Sequence, residues 1–264
     1  MKLFNKILRR LPLSKEKKEA VLLFQADVAR RWISTIYRDL LNVQWSIPPK
    51  PVFIDHNIDL YYRWLSTRES VWLESGAFGS LALLGGDTLE LACGDGFNAR
   101  NFYSLRSKKV VACDFEPTAL ETARKNNSAP NIEYILADIR ESLPEGCYDN
   151  IIWDEAISYF SLPEINEILQ NIKKRLSPVG IFSGHIVGEH SDINNAPYYK
   201  HIFKNKEEVL EMLKLYFETF VVFETKFPSP YYPKNFYFWA SDNAIPFGPQ
   251  WSDAIFYRHK EYQT

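Results

Sequence analysis

Two glycines and three acids stand at intervals that suit a nucleoside. Gly94 and Gly96 follow the apolar run 88–92, Asp114 follows Val110-Val111-Ala112-Cys113 20 residues after Gly94, and Asp138 follows Leu136-Ala137. Glycines at a strand-to-helix turn let a ligand approach backbone N–H groups and the helix N-terminus. A carboxylate closing the next strand can accept hydrogen bonds from both ribose hydroxyls, and one closing the third can reach an adenine amino group. Glu90 adds a carboxylate just before the turn, where it repels a pyrophosphate and suits an amino group. A tight turn and a capped strand end, taken as structure alone, leave the repeated placement at three strand ends unexplained. Gly94-x-Gly96-x-x-Ala99 also fits a dinucleotide fingerprint, so a nicotinamide-dependent oxidoreductase is a rival reading. Against it stand Glu90 and the lack of any Tyr-x-x-x-Lys pair in the chain.

The elements that must position these residues alternate. Short apolar strands are expected over 88–92, 109–113, 132–137, 150–153 and 180–187, with helices over 97–105, 117–125 and 163–176 between them. Pro117 suits the first turn of its helix. This β-α-β rhythm predicts a parallel sheet covered on both faces. A helix over 206–216 leads into strands 219–227 and 235–240, whose short connection makes them antiparallel neighbours at the sheet's edge. Ahead of the sheet, helical patterns cover 15–41, with Val21, Leu22, Phe24, Val28, Trp32, Ile36 and Leu40 on one face, and 56–84. Pro48, Pro49 and Pro51 separate the two as an extended connector.

The run Glu90-Leu-Ala-Cys-Gly-Asp-Gly96, with Val111-Ala-Cys-Asp114, Leu136-Ala-Asp138 and Tyr148-Asp-Asn-Ile-Ile-Trp-Asp154, resembles the class I S-adenosylmethionine-dependent methyltransferases over about residues 85–241. The resemblance implies an α/β fold: a Rossmann-like methyltransferase sheet, mostly parallel with an antiparallel edge hairpin, plus an N-terminal helical extension. It implies that Glu90, Gly94 and Gly96 approach the methionyl part of S-adenosyl-L-methionine, that Asp114 binds the ribose with Phe115 against the adenine, and that Asp138 and Ile139 contact the adenine. Trp153 belongs to the same expected set. The domain reading is a helical extension and lid over 1–84, a core over 85–241 and a tail over 242–264.

In open α/β sheets reacting groups gather beyond the carboxyl ends of the strands. The expected catalytic candidates are therefore Asp154 and Tyr159 after the fourth strand and His190 after the fifth. Asp154 or His190 could take a proton from a hydroxyl; an amine would need only orientation. For each a plainer reading stands beside the functional one: His190 as a surface loop residue, Tyr159 as a buried aromatic. His185, inside a strand, is expected to be a hydrogen-bonded core residue. Residues 61–74 could fold over the cofactor as a lid, and the loop 188–199 could supply the other wall.

Composition bounds the partners. With 264 residues, 46% hydrophobic and 24% charged, the chain is of globular type. A net charge of −2 offers no general attraction to a polyanion, so no nucleic-acid partner is expected. Cys93, Cys113 and Cys147 form no disulfide or zinc framework, and no metal site is expected. The chain reads as cytoplasmic. Residues 1–18 carry seven basic side chains and one acidic one; they read as a leader helix docked on the body or as a peripheral contact with the inner membrane surface. The expected function is methyl transfer to a small-molecule acceptor, with a hydroxyl of a saccharide or secondary metabolite preferred. The alternatives are N-methylation of a small amine or a protein, and a catalytically inactive cofactor-binding partner. The oligomeric state stays open.

Overall fold

A computed structural model describes residues 11–47, 53, 56, 71–188, 199–226, 234–245 and 254–258. The chain divides into two compact units, Met1–Ser70 and Val71–Thr264. The boundary therefore falls before the expected one at residue 84, and the stretch from Val71 belongs to the body.

In the first unit, helix α1 (Lys15–Ser46) starts at Ser14, whose side chain accepts from the Lys17 N–H. Asp27 pairs with Arg30 at 2.7 Å and Arg31 at 2.8 Å on successive turns. The helix runs past its expected end at 41 and stops at Ile47, which takes an extended conformation ahead of Pro48.

The second unit opens with α2 (Val71–Leu81) and β1 (Asp87–Leu91), followed by α3 (Phe97–Asn101), β2 (Lys109–Asp114), α4 (Pro117–Asn126), β3 (Ile132–Leu136) and β4 (Tyr148–Asp154). Then come α5 (Leu162–Arg175), β5 (Leu176–Val187), α6 (Lys206–Lys214), β6 (Thr219–Lys226), β7 (Lys234–Ser241) and β8 (Ala254–Arg258). The helix expected over 97–105 is broken at Phe102 into α3 and a 3-10 turn, Tyr103–Leu105. The described strands form one sheet in the order β3-β2-β1-β4-β5-β7-β6-β8. β1 to β5 pair in parallel, while β7 is antiparallel to both β5 and β6. The expected hairpin thus forms, but β8 pairs with β6 and takes the edge, so part of the expected tail belongs to the sheet.

Strand alternation sorts the side chains onto two faces. Leu89, Leu91, Ile151, Trp153, Phe182 and Ile186 pack with α5 and α6 residues such as Ile168, Ile172 and Leu213. On the opposite face Val110, Ala112 and Ile152 pack with Ala99, Tyr103 and Leu120. Phe78 of α2 packs on Phe223, Tyr237 and Trp239 of that same face. The chain order reverses between β1 and β4, which opens a crevice at their carboxyl ends.

Candidate active site

The turn after β1 is built by conformations that few side chains allow. Gly94 and Gly96 have φ of +54° and +73°. A Cβ on Gly96 would come within 2.3 Å of the Tyr134 hydroxyl, so position 96 excludes any side chain. Ala92 and Glu155, just beyond β1 and β4, are non-glycine residues at φ +54° and +58°. Such conformations cost of order 1–3 kcal/mol each and concentrate where a site needs them.

Asp114 ties the turn to β2. One carboxylate oxygen accepts from the Gly94 N–H at 2.9 Å and the other from the Glu116 N–H at 2.9 Å. Burial raises its pKa, and these backbone N–H groups draw it back down. Each oxygen keeps a lone pair for a further donor such as a ribose hydroxyl. Beside it, Phe115 stands 57% exposed. Asp95, inside the turn, is fully buried and accepts from the Phe97 N–H, while its carbonyl accepts from Asn127.

Glu90 lies on the α3 face of β1 and is 3% exposed, with its Oε2 making no hydrogen bond. Burial, and then the charges of Asp154, Asp95 and Asp114, push its carboxyl well above the ordinary range. Asp154 closes β4 on the same face, where alternation from Ile152 places it. Its Oδ2 accepts from the Tyr103 hydroxyl at 2.6 Å and from the Asn98 amide at 3.3 Å, and Asn98 also reaches Ser75 of α2 at 3.4 Å. Burial pushes the Asp154 carboxyl up to about 7 against the pull of both hydrogen bonds.

The other expected residues are distributed differently. Trp153 is fully buried on the opposite face, edge-on to Phe160 at 5.4 Å, so its ring belongs to the core rather than to a ligand surface. Ile139 is likewise a core residue. Asp138 follows β3 as expected, but both of its oxygens are held by the Arg140 guanidinium, which keeps its carboxyl below the usual range. Any contact with an adenine there is shared with Arg140. Tyr159 is not the buried aromatic of the plainer reading: it is 38% exposed and stacks on Tyr199 at 5.0 Å. His190, and most of both the lid 61–74 and the wall 188–199, lie outside the described residues. His185 is the core residue expected, fully buried, with Nε2 3.0 Å from Asn235 Oδ1 and burial lowering its pKa to about 4. Cys93 and Cys113 are buried, and burial drives both thiols away from ionisation, Cys113 up to about 12.

Sequence reasoning missed Tyr103 and Asn98. They precede Asp154 by 51 and 56 residues, and no local pattern marks that pairing.

The chain is similar to known proteins in sequence and in fold. Residues 88–180 match the model of the methyltransferase-domain family. A ribosomal protein L11 methyltransferase of Aliivibrio salmonicida (strain LFI1238) is 27% identical over 132 residues, 50% of this chain. The match spans 42% of that relative's length, less than half of it. Among solved structures, DhpI in complex with S-adenosylhomocysteine aligns with TM-score 0.52 at 14% identity over 80% of this chain and 96% of its own. The methyltransferase SibL aligns with TM-score 0.54 at 17% identity, over 76% of this chain and 61% of its own. The N-methyltransferase NodS of Bradyrhizobium japonicum WM9, bound to S-adenosylhomocysteine, aligns with TM-score 0.50 at 16% identity over 63% of this chain and 85% of its own.

Residues 88–180 thus carry a methyltransferase domain. The residues present fit S-adenosyl-L-methionine as the cofactor: a glycine at position 96 with no room for a side chain, Asp114 with free lone pairs at the end of β2, and an unpartnered buried oxygen on Glu90 that suits a cationic amino group.

Proposed function

We propose that this protein transfers the methyl group of S-adenosylmethionine to a hydroxyl of a small molecule, with a saccharide or secondary metabolite as the preferred acceptor class and Asp154 as the base. The observation that carries this reading is the Asp154 carboxyl, at the carboxyl end of β4, with its pKa near 7 and its orientation fixed by Tyr103 and Asn98. A base is most effective when its pKa lies near the working pH, and a carboxylate in its ordinary range is too weak to help a hydroxyl.

The cofactor supplies an electrophilic methyl group on a sulfonium. Gly94, Gly96 and Asp114 bind and orient, and Glu90 offers its carboxyl to the amino group. Asp154 takes the hydroxyl proton on its free oxygen as the acceptor oxygen is methylated. Alignment of the two partners contributes the larger share, of order 7–11 kcal/mol; proton removal adds about 10²–10⁴-fold.

A small amine is the second reading, favoured by the Asp154 carboxyl at the end of β4, which can orient an amine without taking a proton from it. A protein acceptor draws only on the name of the Aliivibrio relative, whose match covers 42% of its length. The net charge of −2 supports a small molecule over nucleic acid. Among the described residues no helix is long and apolar enough to cross a membrane; contact of residues 1–18 with an anionic surface remains part of the proposal, through their basic charge. Radiolabelled methyl transfer to panels of hydroxylated and amino acceptors tests the reading. Labelling of hydroxyl acceptors only supports it, labelling of amines only selects the second reading, and tight cofactor binding without turnover selects an inactive partner protein.

A further inference from the structure

Glu90 stands among acids. The carboxyls that act on it are Asp154 from β4, Asp95 from the turn after β1 and Asp114 from β2. The remaining titratable groups coupled to it are the thiols of Cys93 and Cys113 and the hydroxyls of Tyr103 and Tyr134. Asp154 in turn faces the hydroxyls of Tyr103 and Tyr237 and the Asn98 amide. Arg100 acts on Tyr134, one step removed. Every group acting on Glu90 among the described residues is therefore acidic, and its Oε2 has neither donor nor cation. Burial, the missing donor on Oε2 and the surrounding acids all oppose ionisation, so the neutral acid is favoured until a cation arrives.

We propose that Glu90 holds a proton in the cofactor-free protein and that binding of the S-adenosylmethionine cation displaces this proton to solvent, coupling cofactor affinity to pH. This rests on the methyltransferase reading above and adds to it the state of the site before the cofactor enters. The balance is simple: the Glu90 O–H bond breaks, its electron pair stays on the carboxylate, the proton goes to the buffer, and the positive charge of the cofactor takes the proton's place. Binding then strengthens as pH rises toward neutrality, because less work is spent removing the proton.

Calorimetric titration of the full chain with S-adenosylmethionine at neutral pH, in phosphate and in Tris, counts the protons, because the two buffers differ in their own heats of ionisation. The wild type should release about one proton per cofactor bound, and Glu90→Gln should release markedly fewer while its affinity loses its dependence on pH. Equal binding heats in the two buffers for the wild type overturn the proposal, as does a Glu90→Gln protein that releases as many protons as the wild type. Should that variant fail to fold or bind, infrared spectra of wild-type protein carrying 13C-labelled glutamate decide. A glutamic-acid carbonyl band that disappears on adding S-adenosylmethionine is the expected result, and its absence beforehand overturns the proposal. No binding heat in either buffer and no spectral change contradicts the methyltransferase reading itself, and the proposal falls with it.

Discussion

The hydroxyl of Tyr103 donates to Oδ2 of Asp154 across 2.6 Å, joining the 3-10 turn after α3 to the carboxyl end of β4. This bond leaves the second carboxylate oxygen for a reacting proton and fixes the direction in which it points. Asp154 is the proposed base and Tyr103 the proposed positioning residue behind it.

Asp154→Asn keeps the shape of the side chain and removes its basicity. With a hydroxyl acceptor, kcat should fall about 10²–10⁴-fold, while the cofactor Kd changes only a few-fold. Steady-state kinetics beside cofactor titration measures both. An undiminished kcat removes Asp154 from the chemistry.

Tyr103→Phe tests the positioning role through pH. Asp154 accepts a proton only when ionised, so kcat/KM should rise with pH through about 7. The Tyr103 hydrogen bond favours the ionised form. Its loss should therefore move the rising limb to higher pH, by about 1–2 units if the bond is worth 1.5–3 kcal/mol. A limb that stays in place while the melting temperature drops would make Tyr103 merely structural.

Asp114→Ala removes the acceptor for the Gly94 and Glu116 N–H groups together with the expected ribose contact. Cofactor affinity should fall about 10–100-fold or more, since hydrogen bonds to a charged group contribute about 1.5–3 kcal/mol. Gly96→Ala reaches the same turn by another route, pressing a methyl group against the Tyr134 hydroxyl at a left-handed φ. Both effects appear in equilibrium titration, and unchanged affinity in both variants would detach the turn from the cofactor.

His185 provides a stability signature. Its folded pKa of about 4 lies below the ordinary value of 6.5, so between these values the unfolded chain binds the extra proton. The stability due to a neutral His185 is thus present above about pH 6.5 and is lost as pH falls toward 4. His185→Phe, which keeps an aromatic ring against Tyr237, should lower the melting temperature at neutral pH because it strands the Asn235 oxygen, yet flatten the decline between those pH values. Thermal melts across the range measure the slope.

The glycine turn, Asp114 and the strand rhythm were legible because each is local: a turn needs small residues where φ is positive, and a buried strand needs a short apolar run. β8 was not legible, since Ala254–Arg258 becomes a strand by pairing with β6, more than 27 residues away. The face of Trp153 could have been read from alternation: Asp154 and Ile152 point one way, so Trp153 must point the other. The partners of Asp154 could not, because Asn98 and Tyr103 reach it only through the packing of α3 and the turn that follows on β4.

The most direct test of the central claim is calorimetric titration of the protein with S-adenosylmethionine and S-adenosylhomocysteine beside NAD and NADP. The two sulfur nucleosides should bind, and the nicotinamide cofactors should give no heat. Binding of a nicotinamide cofactor alone would contradict it and assign the same glycine turn to a dinucleotide.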